Sequence, residues 1–451
     1  MQRYLTDKSV LKECKIYKML EKASKNEHLS FHTPGHKNGA WDITELSFSD
    51  NLAEPRGCIL EAEKDIAKIL GAKRSFILTD GSTMGVFSML YAAKTLGVKT
   101  VAVGLHSHKS VFNACKVLGI TPLVYDEEYE ENFRQKNRDC EENQEGEKAQ
   151  IKENDGGMYL FTDIFDGADA LFFTSPNYYG EIVDLHRIRH DCDERGKLLL
   201  VDGAHGGHLH FDREKYAGAY ADLWVDGVHK SLPAFTQGAV VSARTKALGE
   251  ALKEGVDIFR TSSPSYPIMA SVEYAVKYPR NLRLENLVES LQSHERIEKT
   301  QDWTKLCVKF GDFSFDVMKE LENEGVYPEF CDGEYVVFYL SPATQDEDVK
   351  RLFARLKALF DKYPYVAKDK REQIHAPLVS IKDGQTEWVE MENAVDRVCA
   401  MNCGLFPPCT PLFCVGERIT QEKLELLKKA DNVFGVREGK ILVAKEATSQ
   451  N

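Results

Sequence analysis

Between about Glu54 and Thr245 short apolar runs alternate with stretches of helical character, and that alternation constrains the fold more than any other feature of the chain. Phe76-Ile77-Leu78, Thr100-Val101-Ala102-Val103-Gly104 and Leu198-Leu199-Leu200-Val201 read as strands, with helical stretches such as Val86 to Thr95 and Ile182 to Glu194 between them. The pattern predicts an α/β fold built on a mainly parallel sheet with helices on both faces. Ligands of such sheets bind beyond the carboxyl ends of the strands. Gly81, His108, Asp202 and Lys230 all follow apolar runs, so all four are predicted at that edge.

Their chemistry is coherent. A carboxylate at a strand end and a lysine beyond the next apolar run are what a pyridoxal phosphate (PLP) enzyme uses, the first to keep the pyridine nitrogen protonated and the second to form a Schiff base. Asp202 and Lys230 fit those roles. Asp80-Gly81-Ser82-Thr83 joins a strand to a helix, a turn that presents backbone N–H groups and hydroxyls to an anion at the positive end of the helix. The same turn also serves as an ordinary Ser/Thr helix cap. His108, just past the Thr100–Gly104 strand, is placed to lie flat on an aromatic ring.

Eight blocks in one order, spanning nearly the whole chain, resemble the Orn/Lys/Arg decarboxylase family of PLP enzymes, in the aspartate-aminotransferase-like fold type I. They are Ser30 to Gly39, Asp80 to Thr83, His106 to Ser110, Thr174 to Gly180, Val201 to Gly206, His229 to Ala234, Thr261 to Tyr266 and Phe406 to Pro411. The resemblance implies a seven-stranded-type PLP-transferase large domain and a smaller α+β C-terminal domain. It implies that Lys230 binds the cofactor, that Asp202 partners the ring nitrogen and that His108 stacks on the ring. Gly81, Ser82 and Thr83 match the phosphate turn, and Ala204 and His205 match residues under or beside the ring. Thr261 and Ser262 match a segment that reaches a neighbouring subunit's phosphate, which implies a homodimer or larger homo-oligomer with shared sites.

Three departures stand out. The Ser or Thr that the family often has shortly before the lysine is missing from Asp226-Gly227-Val228-His229-Lys230, which shifts phosphate binding toward Ser82, Thr83 and His229. Asp202-Gly203-Ala204-His205 replaces Asp-Glu-Ala-His, and Cys409-Thr410 replaces a Gly and an aliphatic residue between prolines. Glu417 and Arg418 are candidate substrate contacts, with an exposed ion pair as the alternative.

The expected organisation is an arm at 1–53, helical from Val10 to Lys25, a PLP-binding domain at 54–281, and an α+β domain at 282–451. Residues 126–155, rich in Glu, Lys, Asn and Gln, read as a solvated insertion. A length of 451 residues and 43% hydrophobic content suit two cored domains. The net charge of −13 argues against nucleic-acid and anionic-membrane partners. No apolar leader or spanning stretch is evident, so a cytoplasmic protein is expected. Eleven scattered cysteines point to reduced thiols, and the gaps among Cys399, Cys403, Cys409 and Cys414 do not suit a metal site; Cys409 is a candidate for the substrate channel.

The function implied is decarboxylation of a basic amino acid in polyamine metabolism. The absence of an obvious extra N-terminal regulatory domain resembles the compact biosynthetic branch and tips the expected substrate from lysine or ornithine toward arginine. Another fold-type-I activity, such as an aminotransferase or a carbon–sulfur lyase with Arg418 on the α-carboxylate, stays open. So does a catalytically silent regulatory relative.

Overall fold

The computed structural model describes residues 1, 4–25, 29–37, 41–125, 165–366, 385–406, 411–430 and 432–445. The insertion at 126–155, Asn38, Gly39, Cys409 and Thr410 lie outside the described residues.

The large sheet is built from β1 (Arg74–Leu78), β2 (Thr100–Gly104), β3 (Thr121–Tyr125), β4 (Ala170–Thr174), β5 (Leu198–Gly203), β6 (Leu223–Asp226) and β7 (Ala239–Ala243). Its seven strands run in the order β1-β7-β6-β5-β4-β2-β3. Only β7 is antiparallel to its neighbours, so the other six strands point their carboxyl ends to one edge.

Side-chain alternation along these strands divides the core in two. Ile77, Leu171, Phe173, Leu199, Val201, Trp224 and Val240 face one layer, which holds α1 (Lys8–Leu11), α2 (Lys15–Ser24), α3 (Cys58–Leu70) and the helix Tyr266–Val276. Phe76, Leu78, Phe172, Leu200, Leu223, Val225 and Val241 face the other, with α4 (Ser82–Thr95), α5 (Lys109–Leu118) and the helix Lys246–Phe259. Helices cover both faces, and this is why the strands are apolar at nearly every position.

The N-terminal arm is part of this core. Leu5, Val10, Ile16, Tyr17 and Leu20 join the first layer, and the buried Glu273 accepts the amides of Lys15 at 2.7 Å and Ile16 at 2.8 Å, tying α2 to the helix Tyr266–Val276.

From residue 282 onward the described residues form two hydrophobic clusters. The first packs the helices Leu282–Leu291, Ser314–Asn323 and Asp346–Lys362 on a sheet of β8 (Lys305–Lys309), β9 (Phe330–Cys331) and β10 (Tyr335–Tyr339), in the order β8-β10-β9. The opposite face of that sheet carries Cys307, Phe330, Val337 and Tyr339 against Tyr178 and Tyr179 of the large domain. The second cluster joins two three-stranded sheets and the helix Gln421–Lys429 into a terminal module. Its Cys414 Sγ lies 3.4 Å from the carbonyl of Leu105, at the turn that leads to His108.

Candidate active site

Four strand ends and the face of β10 converge on Lys230. The lysine sits in the short helix Val228–Ser231 directly after β6, with its amide on the carbonyl of Gly227 at 2.8 Å. Its Nζ is 3.0 Å from Nε2 of His205. His205 is buried, and burial, reinforced by Lys230 and Lys305, holds the imidazole well below its ordinary range. The neutral ring therefore accepts from Lys230 through Nε2 and carries its hydrogen on Nδ1. That Nδ1 is buried and, among the described residues, has no hydrogen-bond partner. The ring of Tyr178 meets His205 edge-on at 4.7 Å and that of Tyr339 at 5.4 Å, which fixes the imidazole plane.

Asp202 ends β5, one strand over. It is buried, and one carboxylate oxygen accepts the amide of Ala204 at 3.0 Å. Burial raises its pKa, while Lys230 and the Ala204 amide oppose the rise. A buried carboxylate with one N–H donor is under-compensated, and a cation delivered beside it would relieve the cost. Thr174, paired with Asp202 across β4 and β5, adds a buried hydroxyl without a partner.

His108 caps α5 by accepting the Ser110 amide through Nδ1 at 3.2 Å. Burial, then Lys230 and Lys109, lowers its pKa to about 3, so it stands neutral near the lysine. The Gly81 turn has the left-handed backbone, φ 78°, that glycine adopts without strain. Gly81's own amide is spent on the carbonyl of Gln237 at 2.9 Å. The anion donors of the turn are therefore the first amides of α4, which have no acceptor within the helix, and the Ser82 and Thr83 hydroxyls. His229, beside the lysine, directs Nδ1 to the carbonyl of Gly238 at 2.9 Å. Thr261 and Ser262 are exposed, and the Thr261 amide donates to Asp80 at 3.1 Å, which sets this segment at the lip of the same turn.

Two departures acquire physical reasons. A Cβ at Gly227 would lie 2.5 Å from the carbonyl oxygen of Ala204, so no hydroxyl-bearing residue fits there. A Cβ at Gly203 would meet the carbonyl of Val225 at 3.1 Å and Asp226 at 3.3 Å. Asp226 fills that space; its carboxylate accepts from Tyr216 at 2.7 Å and Trp224 at 3.2 Å, and burial raises its pKa to about 7.

Glu417 is buried, paired with Lys423 at 2.5 Å and with the Cys414 amide at 3.0 Å, and Arg418 is exposed with Nη1 on the carbonyl of Asp396 at 2.8 Å. These partners all belong to the terminal module. The wall that does reach Lys230 was missed by the sequence reading: Tyr178, Tyr339, Lys305 and Asp302. Lys305 is fully buried, paired with Asp302 at 3.3 Å and seated 4.5 Å over the Tyr339 ring. Asp302 also bonds His208 at 2.9 Å; His208 and Lys305 overcome burial and hold the acid well below the carboxylate range. Only the Thr174–Gly180 block, which contains Tyr178, carried any local signal.

The profile of the Orn/Lys/Arg decarboxylase major domain matches residues 14–308. The chain belongs to the Orn/Lys/Arg decarboxylase family. It is 25% identical to an arginine decarboxylase of Bacillus subtilis (strain 168), covering 92% of this chain and 93% of that one. It is 27% identical, with the same coverage of each, to the uncharacterized protein YaaO of that organism. In structure it resembles the constitutive lysine decarboxylase of E. coli, with TM-score 0.66, 18% identity, and coverage of 96% of this chain and 82% of that one. It also resembles a structure of SPT with PLP, with TM-score 0.53, 12% identity, and coverage of 78% and 85%. The α/β fold is thus shared with that structure. No helix among the described residues is long and apolar enough to cross a membrane.

Proposed function

We propose that this protein is a PLP-dependent decarboxylase of a basic amino acid, arginine before lysine or ornithine. The observation that carries the reading is the junction of Lys230 with a neutral His205 at 3.0 Å, one strand from the under-compensated carboxylate of Asp202. The residues suit PLP: Asp202 offers a carboxylate to a protonated pyridine nitrogen, His108 a neutral ring face, and the α4 terminus with Ser82 and Thr83 an anion cradle. With these residues Lys230 would hold PLP, which when bound would supply an electron sink for the charge left as the Cα–carboxylate bond breaks.

The chain's residues do the rest. Asp202, by retaining its charge beside the nitrogen, keeps the sink strong. Neutral His205 orients Lys230 Nζ, and Lys230 delivers a proton to Cα. Tyr178 and Tyr339 hold His205 in line.

Exposed Thr261 and Ser262, beside the phosphate turn, suit a dimer with shared sites and two-fold symmetry. A cytoplasmic role in polyamine supply accords with the acidic surface. Carbon dioxide release from arginine, lysine and ornithine tests the reading. Release from one of them with a defined kcat/KM supports it, and transamination without release contradicts it.

A further inference from the structure

The one antiparallel strand of the large sheet delivers a loop to the site. β7 runs against β1 and β6, so its first residue, Ala239, pairs with Leu78 and its second, Val240, with Asp226, at the edge where those two strands end. The loop before it, residues 233–238, therefore arrives beside the Gly81 turn, which follows β1, and the helix Val228–Ser231, which follows β6 and holds Lys230.

Two successive carbonyls of the loop are committed to those two elements. The Gln237 carbonyl accepts the Gly81 amide at 2.9 Å, and the Gly238 carbonyl accepts the His229 amide at 3.1 Å and lies 2.9 Å from His229 Nδ1. To present them so, Gln237 takes a left-handed backbone with φ 77°. That conformation is unfavourable for a residue with a Cβ, and most of all for a β-branched one. It persists only where the surroundings impose it. Here they do. The Gly238 amide donates to the Phe235 carbonyl at 3.0 Å, the Phe235 amide donates to the buried Ser271 hydroxyl at 3.0 Å, and a Cβ at Gly238 would lie 2.8 Å from Val272 Cγ2. The loop is thus closed on itself and seated on the helix Tyr266–Val276, with Gln237 exposed at its tip.

We propose that Gln237 is a positioning residue: its left-handed backbone locks the Gly81 turn and the Lys230 helix into one unit, so that the anion donors and the reacting amine keep a fixed spacing. This rests on the reading of those two elements as the holders of PLP and deepens it. PLP carries its phosphate and its aldehyde on one rigid ring, so a site for it must hold both partners at one separation, and the shared loop sets that separation. Where residue 237 disfavours this backbone, the empty site relaxes and cofactor binding has to restore it.

Hydrogen–deuterium exchange of the full chain, read by mass spectrometry before PLP is added, tests the link. The dissociation constant of PLP, read from its absorbance, tests the consequence, in the native protein and in Gln237→Val, Gln237→Gly and Gln237→Asn. Gln237→Val should speed exchange at the Gly81 and His229 segments together, leave Leu198–Val201 unchanged, and raise the dissociation constant at least about fivefold, through the strain of a β-branched residue in the left-handed region. Gln237→Gly and Gln237→Asn, which take that backbone readily, should stay within about twofold of the native protein. In the native protein the two segments should open together as denaturant is added, a measurement that needs no variant. Separate opening there, faster exchange at only one segment in Gln237→Val, or a loss in Gln237→Gly as large as in Gln237→Val overturns the proposal, the last by assigning the role to the side chain. Linked opening in a native protein that binds no PLP contradicts the cofactor reading and leaves Gln237 as the link. PLP bound as tightly by Gln237→Val as by the native protein does the reverse.

Discussion

The strand-end edge of the large domain and the tyrosine-rich wall of β8, β9 and β10 meet over one lysine, yet they are built in opposite ways. At the edge most groups are held by near neighbours, Asp202 by Ala204, His108 by Ser110 and the Lys230 amide by Gly227, while Lys230 Nζ meets His205 from the adjacent strand. The wall is held across long stretches of chain, with His208 bonded to Asp302 and Tyr339 donating to the Tyr178 carbonyl at 3.0 Å. On the proposed reading, the groups assigned to the cofactor are anchored mostly by near neighbours, and the wall facing them by tertiary packing. Changes at the edge should cost chemistry, and changes in the wall should cost placement.

The largest effect is expected at Asp202. Asp202→Asn keeps the shape and removes the charge, so kcat should fall about 10²- to 10³-fold while cofactor binding persists. Stopped-flow turnover with a cofactor absorbance scan checks both, and full activity would break the contrast between edge and wall.

Next comes Gly227→Ser, which puts a Cβ against the Ala204 carbonyl. Overpacking there should lower stability by about 1–3 kcal/mol, read by denaturant unfolding. A neutral result would mean that the lysine turn is less confined than its close approach to Ala204 implies.

His108 sharpens the comparison through pH. The unfolded imidazole takes a proton near its ordinary value of 6.5 and the folded one only near 3, so unfolding takes up a proton between those values. His108 therefore lowers stability as pH falls through that window. His108→Asn should gain on the native protein by about 1.4 kcal/mol per pH unit below 6.5. A difference that stays flat would show that His108 is not held neutral by burial.

Tyr339→Phe should have the smallest effect. It removes the hydroxyl bond to Tyr178 but keeps the ring against His205, so stability should drop by about 1 kcal/mol with kcat nearly unchanged. A large fall in kcat would move Tyr339 from wall to chemistry.

How much was legible follows the same division. Leu198–Val201 ending in Asp202, the small-residue turn at Gly81 and the histidine after β2 are strand–turn signals whose meaning lies within a few residues. They led to the sheet and to the strand-end edge where Lys230 sits. Lys305 and Tyr339 lie 75 and 109 residues beyond Lys230 along the chain, in an amphipathic stretch where nothing distinguishes them from surface charges and core rings. Only the docking of β10 on Tyr178 gives them a place. Likewise, one α+β unit was expected beyond residue 282, and its described residues form two cores because the apolar pattern does not say which strands share a sheet.

Borohydride reduction of the cofactor-loaded protein, followed by peptide mass mapping, tests the central claim most directly. The pyridoxyl mass should fall on Lys230. Its appearance on the buried Lys305, or on no lysine at all, would contradict the assignment of the site.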